Sequence, residues 1–142
     1  MERLRPYPVA AFCAVTLVIW LNRIWLAWTA DVGLGSKLVS SVPITFFVLA
    51  AFVLLGVRLG GADPSSSAFV GLVRAFAAGT VLYWVIRLPM IATNHHPAAF
   101  VAVHAVLAVG SVTAAVLAWR SVPPASVERP TPSTADRAPQ TV

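Results

Sequence analysis

The feature that most restricts this chain is a set of four apolar runs, each about as long as a hydrocarbon layer is thick. A bilayer core of about 30 Å takes roughly 20 helical residues to cross. Runs of that length lie at about 8–30, 38–57, 68–88 and 98–119. In hydrocarbon every backbone N–H and C=O must find its partner within the protein, so such runs form helices. The expectation is an all-α integral membrane protein, a four-helix bundle occupying 1–119. The links DVGLGSK, RLGGADPSSS and NHHP are short and rich in turn-forming residues, so consecutive helices run antiparallel, up-down-up-down. Pro89 is expected to close the third span.

Composition supports the membrane assignment. Hydrophobic residues make up 58% of the 142 and charged residues only 11%, whereas soluble domains carry about 25% charged residues. The segment SVPPASVERPTPSTADRAPQTV has five prolines and no aromatic residue, so 120–142 is expected to be a disordered tail. The first run is too long for a cleaved leader and contains Arg23, so it is expected to persist in the mature protein. The net charge of +5 does not point to nucleic acid, because the arginines are scattered at segment ends and not gathered on one helix.

The distribution of those cations orients the bundle. With the N-terminus cytoplasmic, the inner side receives Arg3, Arg5, Arg58, Arg120, Arg129 and Arg137, with Arg74 snorkelling toward it. The outer side receives Lys37, with Arg23 and Arg87 near its surface. Both termini are therefore expected in the cytoplasm and the chain in the plasma membrane.

Within VIWLNRIWLAW, residues 18–28, Asn22 and Arg23 interrupt an apolar run fenced by tryptophans. Arg23 lies one to two turns below the outer boundary, Arg87 at the end of the third span, and His104 about 9 Å into the fourth. Arginine at mid-span costs roughly 2.5–3.5 kcal/mol on insertion scales and less toward the interface. Two arrangements compete. In one, Arg23 and Arg87 snorkel to headgroups, Trp20, Trp25, Trp28 and Trp84 form an aromatic belt, and interhelical hydrogen bonds satisfy Tyr83 and His104. In the other, the stripes Thr80–Tyr83–Arg87 and Phe100–His104–Ala108–Ser111 face each other, and Asn22, Arg23, Tyr83, Arg87 and His104 border one anion-binding pocket.

Other chemistries find little support. Cys13 is the only cysteine, which leaves no disulfide within the chain and no thiolate cluster, and reads as a small buried apolar residue. His95 and His96 are adjacent and no span but the fourth carries a histidine, so neither a metal nor a haem is expected, and no cofactor. No serine–histidine–aspartate array or phosphate-binding glycine loop is present. Gly71, Ala75 and Gly79 form a small-residue face suited to close helix approach, and the alanines at 98, 102, 105 and 108 form a similar one.

The segments VIWLNRIWLAW, YWVIRLPMI and HHPAAFVAVHAVLAVGSVTAAVLAWR resemble small four-span membrane proteins of actinobacteria that carry no assigned activity. The resemblance covers the spans and implies the fold and a membrane location. The chain lacks the glycine-rich first span of the four-span proteins that move polyprenyl-linked sugars. The leading expectation is a non-catalytic accessory or scaffold protein embedded in the lipid bilayer. Its expected partners are an anionic lipid headgroup near Arg23 and Arg87, other membrane proteins, or a second copy of the chain. The alternatives are a carrier of an anionic lipid or small substrate, and an enzyme using His104, which requires a substrate-sized pocket reaching that ring.

Overall fold

A computed structural model describes residues 7–124. The expected disordered tail lies, from residue 125 onward, outside the described residues. Four helices follow in order: α1 (Tyr7–Thr29), α2 (Leu34–Leu59), α3 (Ser67–Thr93) and α4 (Ala98–Ser121). Each is long and apolar enough to cross a membrane, as a multi-pass protein requires. They form the expected all-α antiparallel bundle, and the described residues include no strand.

α1 packs against both α2 and α4, and α3 against α4, whereas α2 and α3 meet only sparingly. The bundle is thus closed on three sides and loose on the fourth. Its centre is built from Phe12, Cys13, Leu54 and Val73, with Ala51, Ala115 and Ala118 fully enclosed where helices come close. Cys13 is a buried free thiol, as its apolar neighbourhood suggests. The hydroxyls of Thr16 and Thr80 are buried too, and each donates to a carbonyl one turn back, Phe12 O at 2.8 Å and Phe76 O at 3.0 Å.

Three details differ from the sequence expectation. Pro89 does not end α3, which continues to Thr93. Proline removes one hydrogen bond, yet its neighbours hold the helix on both sides, and the Thr93 hydroxyl donates to the Pro89 carbonyl at 3.0 Å. α2 begins at Leu34, so only the first part of DVGLGSK is a turn. Lys37 then lies in the first turn of α2, where its ammonium donates to Trp28 O at 3.1 Å and caps the end of α1. Finally, the tryptophans do not form one belt. Trp25 and Trp28 are exposed, whereas Trp20 and Trp84 are buried.

The loop between α2 and α3 turns at Gly61, whose φ of 82° is open to glycine. The Asp63 carboxylate accepts from the Ser65 backbone N–H at 2.9 Å and from its hydroxyl, and these bonds hold the Asp63 pKa below the usual value. Ser66 caps α3 by accepting from Phe69 N–H.

Candidate functional site

With α3 extending to Thr93, Arg87 lies about six residues inside its helix, roughly 9 Å from the end at 1.5 Å per residue. Arg23 stands at a matching depth in α1, before Thr29. His104 stands at a similar depth from the start of α4. All three therefore occupy one level of the bundle, at the end that carries the α1–α2 and α3–α4 loops.

At that level a half-open cavity of about 490 Å³ lies between the helices. Arg23 of α1 and Arg87 of α3 both line it, and Tyr83 stands one turn below Arg87 on the same face. Ser40 and Pro43 supply the α2 wall, and Phe100 of α4 closes a corner. Proline has no N–H to give, so the Val39 carbonyl loses its helical partner, and Val39 also borders the cavity. The floor is aromatic: Trp20 stacks on Phe47 at 4.6 Å with rings 4° from parallel, and Tyr83 meets each of them edge-on at 5.2 Å. Of these rings Trp20 and Tyr83 line the cavity, and Phe47 supports both from beneath.

The charge of this cavity is unbalanced. Asp31 and Asp63 are the only acidic residues among 7–124, and neither lines it. Two guanidinium groups therefore face one space without a protein carboxylate. Arginine presents planar, paired donors that match phosphate or carboxylate oxygens.

His104 lies behind this set. A second cavity, of about 10 Å³, is bordered by His104, Arg23, Tyr83 and Arg87 together with Trp20 and Trp84. It has room for about one water and no substrate. His104 is 5% exposed, and its Nδ1 lies 2.8 Å from the Phe100 carbonyl of its own helix. A carbonyl only accepts, so Nδ1 is the donor in this contact. Nε2 is buried and has no partner among the described residues. The rings of His96, just before α4, and of Phe100 and His104 within it lie in sequence, with centroids 4.6 and 4.1 Å apart and planes tilted by 40° and 39°. This column fixes the His104 ring from above.

The structure thus brings together four of the five residues singled out in the sequence: Arg23, Tyr83, Arg87 and His104. Asn22 is exposed and lines neither cavity, because one residue along a helix turns the side chain by about 100°. The buried faces His104–Ala108–Ser111 and Thr80 match the periodicity of α4 and α3. No hydrogen bond joins Tyr83 or His104 to another helix among the described residues. Sequence reasoning passed over Phe47, Ser40 and Pro43. The proline inside an uncharged span was the available signal, since it marks freed backbone. Among the described residues no three histidine, cysteine or acidic side chains gather in metal-binding geometry.

Comparisons with protein-family models, with curated proteins and with solved structures return no match.

Proposed function

We propose that this chain is a non-catalytic accessory protein of the plasma membrane that holds an anionic headgroup between Arg23 and Arg87, with both termini cytoplasmic. The observation that carries the reading is the convergence of these two guanidiniums on one cavity that no carboxylate lines. The Gly71–Ala75 face, which is exposed, is where another membrane protein or a second copy packs. His104 serves as a support behind the arginines, because the space beside it has room for about one water and no substrate.

Native mass spectrometry of the protein extracted with its own lipids tests the reading, with wild type compared against an Arg23→Ala, Arg87→Ala double variant. A retained anionic lipid that vanishes in the variant supports it. Equal retention in both, or none in either, sinks it. A second reading, a carrier of the same ligand, draws on the sparse contact between α2 and α3, the side on which the bundle opens most easily. Reconstituted vesicles decide between them, because a carrier equilibrates a labelled anionic lipid across the bilayer and a holder does not.

A further inference from the structure

The cavity lined by Arg23 and Arg87 has an apolar neighbour. On the side where α2 and α3 barely touch, an open groove of about 410 Å³ runs along the two helices and shares Pro43 and Tyr83 with the cavity. Its walls are Phe46 and Phe47 from α2 and Gly79, Leu82 and Ile86 from α3. From Ile86 to Gly79 it covers about 10 Å of α3 at 1.5 Å per residue, leading from the level of the arginines toward the middle of the span. Gly79 leaves it open: a Cβ built there meets nothing within 4 Å.

We propose that the anion held by Arg23 and Arg87 is the headgroup of a membrane lipid that enters sideways between α2 and α3 and lays one hydrocarbon chain in this groove. The inference rests on the anion-holding reading above and adds the route by which the lipid enters and the seat of its hydrocarbon chain. Two features of the bundle select this occupant. The guanidiniums supply charge complementarity at one end only, and the apolar groove adjoins the cavity they line, with Pro43 and Tyr83 common to both. A water-soluble anion uses the first feature and leaves the second idle. A neutral lipid does the reverse. An anionic lipid uses both, and the loose α2–α3 side lets it arrive from the bilayer without crossing the headgroup layer.

The test titrates delipidated, detergent-solubilised protein with phosphatidylglycerol, with glycerol 3-phosphate as soluble competitor. The wild type is expected to bind the lipid, and the chain-free competitor to displace it only at concentrations higher by about a hundred-fold or more. Gly79→Leu fills the groove from a position with free space and should weaken lipid binding by about ten-fold, while Gly79→Ala changes it by less than about two-fold. Helicity and melting of each variant show that the bundle is intact. If glycerol 3-phosphate competes on equal terms and Gly79→Leu binds like wild type, the chain is not in the groove and the site takes a soluble anion. If Arg23→Ala, Arg87→Ala binds the lipid as wild type does, the anion site itself fails and the lipid is only annular.

Discussion

Arg23 with Arg87, and Arg74, are arginines at comparable depth from opposite ends of the bundle, and the chain treats them differently. Arg74 is engaged by the protein through one nitrogen and the face of its guanidinium, while its buried Nε has no partner among the described residues. Its Nη2 donates to the Pro123 carbonyl at 2.9 Å, and its guanidinium lies 5.3 Å from the centroid of the Trp119 ring, so it ties α3 to the end of α4. Arg23 and Arg87 border an open cavity with no acidic residue in its lining. A charge kept in a membrane protein needs a partner. Where the fold supplies one, the arginine is structural. Where it does not, the space in front of the arginine is the informative feature.

That contrast can be broken or sharpened by substitution. The largest effect is expected for Phe47→Ala, which removes a buried ring from the stack with Trp20 and Tyr83 and should cost about 3–5 kcal/mol, read as a fall in melting temperature. Anion retention should fall with it, since Trp20 and Tyr83 lose the ring that supports them. A variant that melts early yet holds lipid normally would detach the floor from the site. Next comes Arg74→Ala, expected to cost about 1–3 kcal/mol through the lost carbonyl bond and the Trp119 contact, with lipid retention unchanged. Loss of bound lipid there would erase the distinction between the two ends.

His104→Leu sharpens the comparison within the site. It removes a buried ring nitrogen that has no partner, so stability should move by less than about 1.5 kcal/mol in either direction. Binding should weaken only several-fold if the ring supports the arginines from behind. Abolition of binding would place His104 in direct contact with the ligand. The smallest effect is expected for Asn22→Leu, within about 0.5 kcal/mol and silent in binding, because Asn22 points away from the cavity. A binding defect would show that the rotation of α1 is misassigned.

Much of this arrangement was legible in the chain. Four spans follow from the length of the apolar runs, and the depths of Arg23 and His104 follow from counting residues at a fixed rise. The stripes through Thr80 and through His104, Ala108 and Ser111 follow from helical periodicity, and all four of these residues are buried. What periodicity does not carry is the rotation of a helix apolar on every side. Asn22 and Arg23 look equivalent as a pair, and only the packing of α1 against α2 and α4 separates them. Trp20 and Trp84 look like interface anchors and prove to be core for the same reason. Phe47 gives no signal at all, since a phenylalanine in an uncharged span reads as lipid-facing or buried with equal ease. Pro89 shows that a local rule for helix ends gives way where hydrocarbon surrounds the backbone.

The central claim, that Arg23 and Arg87 act as paired donors to an anion while Arg74 serves the fold, is tested most directly by charge-conserving substitution. Affinity for phosphatidylglycerol would be measured in detergent for wild type, for Arg23→Lys with Arg87→Lys, and for Arg74→Lys. Lysine keeps the charge but loses the planar, paired donors. The account predicts that the double lysine variant binds about ten-fold or more weakly and that Arg74→Lys binds like wild type but melts earlier. Equal affinity in all three proteins would contradict it, leaving the two arginines as point charges at the membrane interface.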